Sequence, residues 1–186
     1  MRPQRERGFT MIELMVTIAI AGTMMGLAIP ALKAMITGRA VQAQSSALVS
    51  TLRFAKAEAL KRGAPVSVCR TTAAAPDSCA GTAGTWQTWM VFADRGTAGT
   101  VDAGDTKLRV ENGATTNVAF KSLPDATYVS FQSTGIVTTN SGATLPLTWE
   151  FDPTVDTGSN AYKRYERQVC LNAQGRVSNI DGNASC

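Results

Sequence analysis

Between Leu14 and Leu32 the chain carries no charged residue, and those 19 residues are long enough to cross the hydrocarbon core of a bilayer as a helix. A short basic leader, Met1 to Gly8, precedes them and sets Arg2, Arg5 and Arg7 against Glu6. The positive end is expected to stay in the cytoplasm and the rest of the chain to face out. A secretory signal peptide has its small-residue cleavage site after the apolar stretch. Here the expected cut lies before it, between Gly8 and Phe9, so the apolar helix survives in the mature chain.

Glu13 interrupts this pattern. A carboxylate one turn into a membrane helix is costly and marks a function whose partner has to be found. Cleavage after Gly8 would free the amine of Phe9, and the positive N-terminus of a neighbouring copy or relative then supplies that partner. The plainer reading is a lone Glu near the interface, where it reaches water. The Gly8-Phe9 boundary and the basic leader favour the pairing role.

Gly8-Phe9-Thr10 followed by Ile12-Glu13-Leu14 resembles the class III signal of type IV prepilins and type II secretion pseudopilins. The resemblance implies a prepilin peptidase that cuts between Gly8 and Phe9 and N-methylates Phe9. It also implies that Glu13 aids registration of the subunit in a growing fibre built on an inner-membrane assembly platform.

With 186 residues there is room for one long helix and one globular head. Histidine is absent, which removes the commonest general base and the commonest metal ligand. No phosphate-binding loop is present either, so no enzyme and no cofactor is expected. Cys69, Cys79, Cys170 and Cys186 all lie outside the apolar run and, in an oxidising periplasm, read as two disulfides. Three connectivities are open; the local one, Cys69 with Cys79 and Cys170 with Cys186, is favoured. A zinc site is the alternative, but neither Cys-x-x-Cys spacing nor His supports it.

Past Pro30, which should bend it, the helix is expected to continue to Arg62. Val41, Leu48, Leu52, Ala55 and Ala59 recur at spacings of three, four and seven, one apolar stripe. Lys56, Lys61 and Arg62 suit the negative end of a helix, and Gly63 with Pro65 stops it. From Phe9 to Arg62 such a helix is roughly 80 Å long. Gly22 and Gly26 form a Gly-x-x-x-Gly spacing that lets another helix approach, although ordinary membrane-helix glycine accounts for it equally well.

From Ala64 onward the period shortens. Pro65–Cys69, Thr88–Phe92, Lys107–Val110, Asn117–Phe120, Thr127–Phe131, Leu147–Phe151 and Gln168–Leu171 read as short strands divided by Gly, Pro, Asn and Asp. The expected architecture is α+β: a long N-terminal helix, half transmembrane and half amphipathic, packed on an antiparallel β-sheet head. Its parts are the leader (1–8), the transmembrane half (9–32), the amphipathic half (33–63) and the β-rich periplasmic head (64–186). The loops Thr71–Thr85, Asp94–Thr106 and Pro153–Ala161 are expected to be mobile and exposed.

The head narrows the resemblance. Phe54-Ala55-Lys56-Ala57-Glu58-Ala59-Leu60-Lys61-Arg62-Gly63 with Val66 and Cys69 resembles the helix-to-strand junction of the GspH/FimT minor pilins and pseudopilins. Trp86 with Trp89-Met90-Val91-Phe92-Ala93-Asp94, and Cys170-Leu171-Asn172 with Gly175-Arg176-Val177, fit the same group. That likeness implies the pilin fold and helix-mediated contacts with other minor and major pilins or pseudopilins.

Two binding functions compete with a structural role. Asp94, Asp102 and Asp105 share one loop, but Gly96 and Ala98 stand where an EF-hand needs side-chain oxygens, so a solvated turn is preferred to calcium. Some FimT-type pilins capture DNA through Gly-Arg-x-Arg; here the motif reads Gly175-Arg176-Val177-Ser178 and lacks the second Arg. From Ala64 to the end nine Lys and Arg stand against eleven Asp and Glu, a net of −2, where a DNA-binding head should be basic. Lys163, Arg164, Arg167 and Arg176 remain the only candidate DNA contacts. The preferred reading is a structural subunit that primes assembly at or near the tip of a type IV pilus. A minor pseudopilin of a type II secretion system and a DNA-binding minor pilin for transformation are the alternatives. The chain is expected in the bacterial inner membrane as a single-pass protein, head in the periplasm, and then in the fibre.

Processing tests this directly. Mass spectrometry of the mature chain should find methylated Phe9 at the N-terminus, and Gly8→Val should leave the leader attached. A cut after Ala28 or beyond would refute the assignment.

Overall fold

The structure, a computed structural model, describes residues 9–186 apart from 73–74, 76, 83, 114–117, 124, 141–142, 154–163, 183 and 185, with no side chains given at 27, 30, 31 and 119–123. The leader with Gly8, most of the expected 153–161 loop, and Lys163 therefore lie outside the described residues. Two units divide the chain, the first ending at Ile36 and the second beginning at Thr37.

Helix α1 (Met11–Arg62, 52 residues) contributes to both units and continues through Pro30. In the first unit its described large apolar side chains, from Met11 to Ile36, stand 47% or more exposed. No helix among the described residues is long and apolar enough to cross a membrane.

In the second unit the helix presents the expected stripe: Val41, Leu48, Leu52, Ala55 and Ala59 are all fully buried. Gly63, with φ 60°, ends α1 in the left-handed conformation that glycine adopts most readily. The strands follow in order: β1 (Val66–Thr71), β2 (Thr88–Ala93), β3 (Thr106–Asn112), β4 (Val118–Leu123), β5 (Tyr128–Phe131), β6 (Val137–Thr139), β7 (Leu147–Pro153), β8 (Arg167–Leu171) and β9 (Val177–Asp181). They form two antiparallel sheets, β3-β2-β1-β5-β6 and β4-β7-β8-β9. Seven strands match the expected runs. β6 and β9 do not, because one is three residues long and the other, Val-Ser-Asn-Ile-Asp, is an edge strand with little apolar content.

Side chains from both sheets meet α1 in one core. Val66, Val68, Trp89, Val91, Val129 and Phe131 come from the first sheet, and Trp149, Phe151, Val169, Leu171 and Val177 from the second. Trp86 packs edge-on against Trp149 with ring centroids 5.5 Å apart, and its Nε1 donates to the Ala126 carbonyl at 3.1 Å. Truncating either tryptophan to alanine would cost about 3–5 kcal/mol. Polar links tie helix to strands: Trp89 Nε1 donates to Thr51 Oγ1 at 3.2 Å, and Asn179 Nδ2 to Ser45 Oγ at 3.1 Å. At Gly38 the helix admits the Tyr165 ring, which any larger residue would displace.

A smaller core lies on the other face of the first sheet, where Cys69, Met90 and Phe92 gather with Cys79, Val101 and Tyr128. That explains why every residue of β1 and β2 is buried, instead of every second one. The covering loops were expected to be mobile, yet both are tied down. The first is held by the Cys69–Cys79 disulfide and by Arg70, which donates to the Thr82 carbonyl. In the second, Asp94 accepts from Ser67 Oγ at 2.6 Å and from Gly99 N at 2.8 Å. Burial, and secondarily the Asp94 carboxylate, raise the Tyr128 phenol above the usual tyrosine range.

Lys56 joins the two sheets where their turns meet. Its Nζ donates to the carbonyls of Gln174 (2.8 Å) and Gly175 (3.1 Å) in the β8–β9 turn. The β5–β6 turn lies against the same lysine through Gly135, and Val137 N donates to Ala173 O at 2.9 Å.

The second disulfide, Cys170–Cys186, closes over the last strand, and no free cysteine is present. Chain produced in the periplasm should therefore react with no thiol reagent. Replacing Cys170 and Cys186 by serine should lower stability by about 2–5 kcal/mol in denaturant titration. Two or more reactive thiols in the unaltered chain would contradict the pairing.

Candidate functional site

The chemistry-bearing end of α1 begins at Thr10. Its carbonyl accepts from Leu14 N at 3.2 Å, the first turn of the helix, and its Oγ1 accepts from Glu13 N at 3.3 Å. Thr10 is thus the N-cap and Glu13 the third helical residue, half of the reciprocal arrangement in which a capping hydroxyl and an acidic side chain satisfy two orphan amides. Thr-x-x-Glu ahead of an apolar run signals such a cap in the sequence itself, where the charge at Glu13 overshadows it. The effect on Glu13 is direct. A carboxylate in the first turn faces the positive end of the helix dipole, worth about 0.3–1 kcal/mol, which offsets part of the cost of holding charge in an apolar setting.

The remaining polar groups of this segment are self-sufficient. Thr17 Oγ1 donates to the Leu14 carbonyl at 2.9 Å and Thr23 Oγ1 to the Ile20 carbonyl at 2.8 Å. These are the only hydroxyls between Leu14 and Leu32. Each donates to the backbone of its own helix, so neither needs a partner from water. Phe9 precedes the cap and is exposed.

The candidate DNA contacts are not brought together. β8 pairs with β9 so that Arg167 faces Asp181 and Leu171 faces Val177. Arg176, level with Asn172, therefore sits at the turn and Arg167 at the open end, five residues apart along the strand, roughly 17 Å. Arg167 forms an ion pair with Asp181 and donates to Gln42 Oε1 at 3.1 Å. Arg164 lies over the neighbouring Tyr165 ring at 4.9 Å. Arg176 is exposed on its turn. Lys163 is outside the described residues.

The acidic loop is built for its own backbone. Arg95 N donates to Asp105 Oδ1 at 2.8 Å, Thr97 N to Asp102 Oδ2 at 2.7 Å and Asp102 N to Asp105 Oδ2 at 2.8 Å. Carboxylates turned toward amides in this way form tight turns. Among the described residues no group of three or more His, Cys, Asp or Glu could hold a metal ion.

Residues 44–175 match the family model described as type II transport protein GspH, and residues 3–29 match the prokaryotic N-terminal methylation motif. No curated protein matches the chain. Among solved structures the chain is similar to the type IV minor pilin FimU of Pseudomonas aeruginosa in two crystal forms. One is 15% identical with a TM-score of 0.53, covering 78% of this chain and 96% of that one. The other is 14% identical with a TM-score of 0.55, covering 78% and 92%. At such identities the likeness is one of fold: an N-terminal helix packed on antiparallel sheets.

The cap can be tested separately from assembly. Thr10→Val should speed amide exchange at Glu13 about fivefold in detergent-solubilised chain, as expected for loss of a cap worth about 1 kcal/mol. Thr10→Ser should leave it near the original rate. Equal exchange in both variants would show that the hydroxyl does not hold the helix start.

Proposed function

The chain belongs to the type II transport protein GspH family and is a minor pilin or pseudopilin; from that premise we propose that it primes assembly of a type IV pilus and is incorporated at or near its tip. The observation that carries this reading is the N-terminal helix. From Met11 to Leu32 exposed apolar side chains surround it, its two hydroxyls are satisfied internally, and its single charge, Glu13, sits in the first turn. A surface of this kind needs a lipid or protein environment on all sides.

In the proposed sequence of events the helix first anchors the subunit in the inner membrane, with the head in the periplasm. Prepilin peptidase removes residues 1–8 and methylates Phe9. The helix then passes into the fibre, where it packs against the helices of other minor and major pilins. Glu13 meets the positive N-terminus of a neighbour as the subunit enters. A secretion pseudopilus, which the type II description of the family would suit, is the second reading.

Membrane insertion and assembly respond differently to Glu13. Glu13→Ala should leave insertion intact or improve it, because a charge leaves the apolar segment. The amount of the chain in sheared fibres should fall about tenfold, as expected when a partly buried charge loses its partner. Equal amounts of both proteins in the fibres would remove Glu13 from the mechanism.

A further inference from the structure

At the C-terminal end of α1 the head combines an exposed apolar spot with a polar cavity. Among the described residues of the second unit only Leu60, Val110 and Ile136 are large, apolar and about half exposed. Two of the three adjoin. Leu60 Cδ2 lies beside Gly135, the residue before Ile136, in the β5–β6 turn. That turn is closed by Gln132, whose N–H donates to Ile136 O at 2.8 Å and whose carbonyl accepts from Gly135 N at 2.8 Å.

Gln132 also borders a cavity of about 410 Å³ with Pro65, Asp94, Arg95, Ala98 and Ser130. Its polar groups are mostly acceptors. The bonds that Ser67 and Gly99 make to the buried Asp94 carboxylate both go to Oδ2. Gln132 uses its amide N–H on Thr138 Oγ1 at 3.1 Å, which leaves its carbonyl oxygen free to accept. Ser130 is 1% exposed, and its Oγ has no hydrogen-bond partner among the described residues. A buried hydroxyl without a partner costs stability, and its persistence beside an opening calls for an external group.

We propose that this end of the head is a docking site for a different subunit of the fibre, one that presents a large apolar side chain next to a lysine or arginine. The apolar side chain covers Leu60 and Ile136. The cationic head enters the cavity and donates to Asp94, Ser130 and Gln132, which are chemically suited to it. The partner is not a second copy. In the second unit this chain's own exposed pairing of that kind, Val110 beside Arg109, has its guanidinium held by Glu111 and stacked over Phe54 at 5.8 Å, and Leu32 beside Lys33 lies on the N-terminal helix, which the assembly reading places among other helices. Leu60 with Lys61 belongs to the docking surface itself. Arg95, exposed at the mouth, is the rival occupant from within the chain.

The inference rests on the assembly reading above, and the experiment separates the two. A photo-crosslinking amino acid replaces Ile136 in the full chain, in cells that make fibres, and sheared fibres are blotted for the chain and its adducts. The expected result is an adduct with one other pilin subunit whose linked peptide contains Lys or Arg. Gln132→Lys, at a half-buried rim position, fills the cavity with a cation of the chain's own. It should cut that adduct about tenfold while the chain still enters fibres. The same crosslinker at Val110 should not give the adduct. An adduct only to a second copy or to lipid, no adduct, or a yield unmoved by Gln132→Lys would overturn the proposal with the assembly reading intact. Absence of the unsubstituted chain from fibres would overturn both.

Discussion

Two sheets that share no strand are held as one head because each covers part of the same helical stripe. Val41, Leu48, Leu52, Ala55 and Ala59 are fully buried, and the tryptophans that fill the remaining space come from both sheets and from the loop between β1 and β2. The small residues at 55 and 59 matter as much as the leucines. Alanine brings strand side chains close to the helix axis where the sheets converge, one residue away from Lys56. The lysine then supplies what apolar packing lacks, which is direction. Its two bonds to turn carbonyls fix the β8–β9 turn, and the β5–β6 turn rests on that arrangement. Stability comes from area, and the register of one sheet against the other comes from a few polar contacts.

The first unit obeys the opposite rule. Its helix has apolar side chains in every direction, so no single face defines an inside. A chain of this kind has its environment supplied from without, and its sequence encodes only what must not be left unsatisfied. Thr17 and Thr23 bond back to the helix, and Thr10 with Glu13 secures the first turn.

The sequence made the helix and its buried stripe legible, because apolar residues recurring at three, four and seven from Val41 to Ala59 line up on one face only in a helix. Seven of nine strands were legible for the corresponding reason in period two. What could not be read was pairing. β6 and β9 carry little apolar pattern, and the division into two sheets is set by which edges meet, a property of no single strand. At the candidate sites the outcome was mixed. Glu13 stood out as a charge in an apolar run, whereas its cap, Thr10, was equally visible as a hydroxyl three residues before an acid. Arg164, Arg167 and Arg176 looked like a cluster because they are near in sequence, and a hairpin pulled two of them to opposite ends. The loops looked mobile because Gly, Thr and Ala dominate them, but disulfide and aspartate contacts bind two of them, after β1 and after β2, to the sheet.

The covalent loop from Cys170 to Cys186 contains the whole of β9. An edge strand at a chain terminus ordinarily yields to force by peeling, one pair of hydrogen bonds at a time from its free end. Here Cys186, past the far end of β9, is tied back to Cys170 near the turn, opposite Ser178. Load applied to the head must break several backbone bonds together, which raises the force needed without adding a single apolar contact.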